Sequence, residues 1–348
     1  MPWRGYLALP PYFGGKRELC PIIFRQLAKV HPTSSWPGLR LVDPFLGGGA
    51  VSLYAKARGF GVVCGDLAER SVIVGKALIE NDSTMIGEAD LLRLFVPSHG
   101  NRHQIEQTYV PDSFTPEAAR FLDNAFAVAD EVTDSTKRDV LRLLLVKYVF
   151  SLRPHAQFRA PNAFNRPFAE GRFDDIKDTY RHAIAANAEH PLPALRRLAR
   201  TVNSGITRGA QPCTAMKADA RETIHGGRGA DILYLDPPYA GTLAYEEEYR
   251  ILDELLGESH EANAFSSKDG LAELVQLLTV CGDYPLWVIS YGNAVAGLDQ
   301  VREAVGQFRP VRAIEIAYQH LSAIASKHKR ESNRELLLLA GEGVCRCS

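Results

Sequence analysis

Six short apolar runs, at 39–42, 61–64, 231–235, 286–290, 311–317 and 335–340, recur along the 348-residue chain, with helical patterns between several of them. Short apolar runs without strict alternation suit strands buried on both faces, and strands separated by helices pair in parallel because a parallel neighbour needs a long crossover. The pattern predicts an α/β fold built on a doubly wound, mostly parallel, Rossmann-like sheet. The last two runs are separated by the polar stretch 319–333, which has no helical period, so they are expected as an antiparallel pair at one edge. From 85 to 209 helical patterns dominate, as at 116–130 and 135–150, and the loop 153–173 is rich in Arg, Phe, Asn and Pro. The chain therefore divides into a sheet domain, 1–84 with 210–348, and a mainly helical insertion, 85–209.

At 46% hydrophobic and 23% charged residues the chain can bury a large core. No segment approaches 18 uninterrupted apolar residues, and the N-terminus lacks the apolar stretch of a signal peptide, so no membrane partner is expected and the cytoplasm is the default compartment. The cysteines, Cys20, Cys64, Cys213, Cys281, Cys345 and Cys347, form no Cys-x-x-Cys pair and none sits at metal spacing from a His, so no metal is expected. The formal net charge of −1 gives no global sign of a polyanionic partner. Its distribution says more: 137–208 holds fourteen Lys or Arg against six Asp or Glu, whereas 240–261 is strongly acidic. A basic region of this kind suits phosphate contact, and equally a solvated helical face.

The run 231–235 closes on Asp236-Pro237-Pro238-Tyr239. A buried parallel strand opens at its carboxyl end into the ligand crevice of such a sheet, which puts Asp236 at the mouth. Pro237 and Pro238 stiffen the turn and fix the direction of its carbonyls. A carboxylate and a neighbouring carbonyl are both acceptors, and together they hold the two hydrogens of an amino group while its lone pair stays available. Tyr239 offers a face for a planar base, worth about 1–3 kcal/mol.

A second motif follows the first run: Asp43-Pro44-Phe45-Leu46-Gly47-Gly48-Gly49-Ala50, leading into a helical pattern at 51–58. Strand, glycine turn and helix form a nucleotide-approach unit. An acid at the strand end would repel a diphosphate. It suits a cationic, amino-bearing cofactor, and S-adenosylmethionine carries both an amino and a sulfonium group. About 20 residues on, Asp66 ends the second run where a ribose diol is normally held, and can also cap the helix starting near Ala68. Asp219 can end a further strand and face an adenine ring.

Together these motifs resemble the DNA adenine methylase (Dam-like) family of N6-adenine-specific methyltransferases. Pro11-Tyr12-Phe13-Gly14-Gly15-Lys16 is similar to the family's aromatic-x-Gly-Gly-Lys segment, with Tyr12 in place of the tryptophan of some members. Asp43-Pro44-Phe45-x-Gly47-x-Gly49 is similar to its cofactor motif, and Asp236 to Tyr239 to its catalytic one. The sheet portions, about 6–83 and 210–341, carry the likeness; in the insertion it is confined to Phe164-Asn165-Arg166-Pro167-Phe168.

The resemblance implies direct methyl transfer from S-adenosylmethionine to N6 of a flipped adenine in double-stranded DNA, with Asp236, Pro237, Pro238 and Tyr239 catalytic. It implies that Tyr12, Gly14, Gly15, Lys16, Asp43, Pro44, Phe45, Gly47, Gly49, Asp66, Asp219 and Asp236 bind the cofactor, Lys16 by pairing with its methionine carboxylate. The insertion is expected to recognise the target. Arg153, Arg159, Asn165 and Arg166, and in the late loop Lys327, Lys329 and Arg330, are candidates for DNA contact. For the arginines the alternative is ion pairing with Asp174, Asp175 and Asp178. The chain is expected to act as a monomer, any cognate endonuclease being a separate protein. The amino-acceptor geometry also serves cytosine N4 or adenine in RNA, and a non-catalytic nucleic-acid-binding module stays open.

Overall fold

The computed structural model describes residues 3–12, 14–100, 103–111, 113–152, 174–238, 249–258, 265, 269–293, 296–317, 334–342 and 344, with 174–181 as backbone alone. Among them runs a seven-stranded sheet in the order β3-β2-β1-β4-β5-β7-β6. The strands are β1 Arg40–Asp43, β2 Gly61–Asp66, β3 Cys213–Lys217, β4 Ile232–Leu235, β5 Leu286–Gly292, β6 Val311–Ala317 and β7 Arg334–Gly341. The first five are parallel. β7 runs antiparallel to both β5 and β6, so the expected antiparallel pair is present, with β7 one place in from the edge and β6 outermost.

Reversing β7 has a geometric consequence. Its first residues lie along the carboxyl ends of the parallel strands: Glu335 is opposite Gly292 of β5 and Ile316 of β6. Chain order reverses between β1 and β4, which opens the crevice of a doubly wound sheet at that point.

The strands are apolar throughout because both faces are covered. Leu41, Val62, Ile232, Leu286 and Leu337 pack into one buried cluster. Their alternates Val42, Val63, Leu233, Trp287 and Leu338 pack into another. The first cluster extends into the insertion. Helix Pro116–Asp130 starts with Pro116 at its first turn and Thr115 Oγ1 accepting from Ala118 N, and it contributes Leu122 and Phe126. Helix Ser135–Leu152 contributes Val140, Leu144 and Tyr148. The described part of 85–209 is therefore a helical layer on one face of the sheet, sharing its core.

The same layer ties down the N-terminal segment. Lys147, 7% exposed, donates from Nζ to the carbonyls of Leu7 (2.7 Å) and Leu9 (3.1 Å), and burial pushes its pKa down to about 7. This clasp sits immediately before Tyr12. No helix among the described residues is long and apolar enough to cross a membrane.

Candidate active site

At the switch point three strands deliver carboxylates to one edge: Asp43 ends β1, Asp66 ends β2 and Asp236 follows β4. They border a cavity of about 430 Å³. Of the residues expected at a cofactor site, Tyr12, Gly14, Gly15, Lys16, Asp43, Pro44, Phe45, Gly47, Asp66, Asp219 and Asp236 line it, together with Pro237 and Pro238. Gly49 does not line it but shapes the turn: its φ is +73°, and a Cβ there would lie 2.7 Å from Val74 Cγ1. Tyr239, Arg153, Arg159, Asn165, Arg166, Lys327, Lys329 and Arg330 lie outside the described residues. Among those described, no cluster of His, Cys, Asp and Glu could hold a metal ion.

Two carboxylates brace the glycine turn. Asp43, 1% exposed, accepts from Ser52 Oγ at 2.6 Å and from Phe45 N at 3.3 Å. Burial pushes its pKa up to about 7 against these hydrogen bonds, with the nearby charges of Asp236 and Asp66 adding to the rise. Asp66 accepts from Gly47 N at 2.8 Å with one oxygen and from Ala68 N at 3.0 Å with the other. It thus closes the glycine turn and also leads into helix Glu69–Val74, while a carboxylate's further lone pairs remain for a ligand hydroxyl.

Tyr12 is engaged with protein. Its ring stacks on Tyr249 at 5.1 Å and 21°, and the Arg70 guanidinium lies 4.7 Å from the Tyr249 ring centre. A Cβ on Gly48 would come within 2.7 Å of Tyr12 Cβ, so glycine is required where the turn meets this residue. Arg70 also pairs with Asp253, both buried, and this anchors helix Arg250–Leu255 beneath the site. Tyr12 therefore supports the turn as well as bordering the cavity.

Lys16 is 4% exposed. Its Nζ lies 2.9 Å from Asp236 Oδ1 and 3.6 Å from Glu335 Oε1, and donates to Gly14 O at 3.0 Å. The sequence reading sends this ammonium to a cofactor carboxylate; in the structure it is on the carboxylate of the Pro-Pro turn. Below them, Tyr234 donates its hydroxyl to Ser290 Oγ at 3.0 Å. Asp219 is the N-cap of helix Ala220–Gly226, accepting from Glu222 N at 2.8 Å, while Glu222 accepts from Asp219 N at 3.2 Å. It stands two residues beyond the end of β3.

Several site residues escape a reading of the sequence. Phe265 lines the cavity and meets Phe45 edge to face at 5.2 Å. Arg70, Tyr249 and Glu335 act through contacts made across long stretches of chain, and Ser52 through a hydrogen bond back to Asp43 from the following helix. Glu335 alone left a trace, as the charged head of an otherwise apolar run.

Two comparisons place the chain among known proteins by sequence. Residues 12–152 match the family model described as D12 class N6 adenine-specific DNA methyltransferase. The chain is 23% identical over 335 residues to the type II methyltransferase M2.HphI of Haemophilus parahaemolyticus, covering 94% of this chain and 96% of that one. The matched family segment begins at Tyr12 and spans the Lys16 segment, the Asp43 turn and Asp66, and the relative's alignment extends over nearly the whole chain. The likeness to the D12 class of N6 adenine-specific DNA methyltransferases thus covers residues 12–152, and the likeness to a type II methyltransferase nearly the whole chain.

Proposed function

We propose that the protein transfers the methyl group of S-adenosylmethionine directly to the N6 amino group of an adenine flipped out of double-stranded DNA. The observation that carries this reading is Asp236, held at the cavity's edge by the ammonium of Lys16 on Oδ1. Oδ2 and the Pro237 carbonyl then accept the two N6 hydrogens and aim the nitrogen's lone pair, which is a positioning task. Tyr239 stacks on the flipped base and offsets part of the few kcal/mol that extrusion costs.

The donor set fits the cofactor. Asp43, Asp66, Asp219 and Asp236 surround a cavity within the usual size of ligand sites, and one wall is the bare backbone of Gly47 and Gly48. Asp66 would hold the ribose hydroxyls, Asp219 would border the adenine and Asp43 would favour the amino-bearing end. S-adenosylmethionine supplies a methyl group on a positively charged sulfur. Bound there, it would give up that methyl to the N6 lone pair and leave as the neutral thioether, and Asp236 would take the proton that the methylated nitrogen sheds. The carboxylate stabilises the positive charge that develops on nitrogen meanwhile.

The helical insertion contacts the target through Arg153, Arg159, Asn165 and Arg166, and the late loop follows the phosphates through Lys327, Lys329 and Arg330. The type II name of M2.HphI supports a place in restriction-modification; the further reading is of a cytoplasmic monomer, any cognate endonuclease being a separate protein.

Asp236→Ala tests the central role. Methyl transfer falls below detection while DNA binding, measured by fluorescence anisotropy, stays within several-fold of wild type. Wild-type turnover by this variant refutes the assignment.

A further inference from the structure

Lys147 lies in helix Ser135–Leu152 of the insertion and is 7% exposed. Its Nζ donates to the carbonyls of Leu7 at 2.7 Å and Leu9 at 3.1 Å, and among the described residues no carboxylate pairs with it. Burial, with the charge of Arg17 adding to it, pushes its pKa down to about 7, so keeping an ammonium here costs stability. An apolar side chain would pack at that place without the cost. A donor does what packing cannot: it fixes the direction of two carbonyls.

Pro10 and Pro11 follow directly, and each locks its own φ, so the stretch 9–12 is a stiff arm leading out of the clasp. At its end Tyr12, and then Gly14, Gly15, Lys16 and Arg17, line the cavity. Arg17 donates back to the Pro10 carbonyl, which ties the far end of this wall to the arm. Val146 and Phe150, neighbours of Lys147 on the helix, border the same small gap as Pro10, Pro11 and Tyr12. The arm therefore rests on the helix as well as being bonded to it.

We propose that Lys147 is a positioning residue for cofactor binding: from the insertion it holds the arm 9–12, and through the arm the wall of the cavity that Tyr12, Gly14, Gly15 and Lys16 form. The insertion thereby builds one side of the cofactor site. The inference rests on the reading of the cavity as the S-adenosylmethionine site. No bond forms or breaks at Lys147.

The test uses the full chain and compares wild type, K147M and K147R. K147M keeps the length and apolar stem and removes the donor. Its dissociation constant for S-adenosylmethionine, measured by titration calorimetry, is expected to rise about 10-fold. Its melting temperature without ligand stays within about 2 °C of wild type, because the lost hydrogen bonds are offset by removal of a buried charge. Amide hydrogen exchange of peptides covering 8–17 quickens about 10-fold in the ligand-free protein, while that of β1 is unchanged. K147R, which keeps a cation and several donors, recovers most of the affinity. Wild-type affinity in K147M, or unchanged exchange over 8–17, overturns the proposal. So does a K147M chain that fails to fold, or that melts early with faster exchange in β1 as well, since the clasp then serves the fold as a whole. A wild type that binds no S-adenosylmethionine sinks the underlying reading of the cavity instead, and the exchange comparison, made without ligand, still decides whether Lys147 holds the arm.

Discussion

Asp43 shows how one buried carboxylate writes a pH dependence into the molecule. Its pKa is about 7 in the folded state against an ordinary value near 3.8. Between these values the unfolded chain has released the proton and the folded chain still holds it, so this group's contribution to stability falls as pH rises from about 4 to about 7 and is lost above that. Asp43→Asn mimics the neutral form and keeps the hydrogen-bonding outline. Urea unfolding at pH 5 and pH 8 is expected to show wild type losing ground to Asp43→Asn as pH rises, by on the order of a few kcal/mol at most. A difference that stays flat between the two pH values contradicts the account. At this scale the sequence disclosed residues whose chemistry is local. Asp43, Asp66 and Asp236 each end an apolar run, and that alone directs them to the crevice. What it hid was partnership: Lys16 reaching Asp236, far along the chain, depends on which strands become neighbours, and no local pattern carries that.

At the scale of elements, helix Arg250–Leu255 is fastened to helix Glu69–Val74 by the Arg70–Asp253 pair and by Tyr249 between Arg70 and Tyr12. Removing one partner of a buried pair strands the other charge. Arg70→Met is therefore expected to destabilise by about 3–5 kcal/mol, and combining it with Asp253→Asn to cost less than the single substitution. Urea unfolding of the three variants measures this; a double variant no more stable than Arg70→Met contradicts it. The strands were legible because runs buried on both faces are continuous in sequence, and helix Pro116–Asp130 because its cap, first-turn proline and apolar stripe agree. The position of β7 was not. Antiparallel pairing follows from a polar connection, but insertion between β5 and β6 rather than addition outside them is decided by register and packing.

Across the whole molecule, the described helices of the insertion and one face of the sheet share a single buried cluster. Leu144, fully buried in helix Ser135–Leu152, tests that union. Leu144→Ala is expected to cost about 2–5 kcal/mol and to shift the unfolding transition seen at Trp287, on the opposite face of the sheet, together with that seen by far-ultraviolet dichroism. Separate transitions for the two signals contradict a shared core. Reaction type is written in a few local motifs, whereas target recognition depends on side chains gathered by the fold. The most direct measurement of the central claim supplies methyl-labelled S-adenosylmethionine to the purified protein with duplex DNA and RNA in parallel, digests the products to nucleosides and identifies the labelled species. The account predicts N6-methyldeoxyadenosine from the duplex DNA; label found only in N4-methyldeoxycytidine, only in RNA, or in no nucleoside contradicts it.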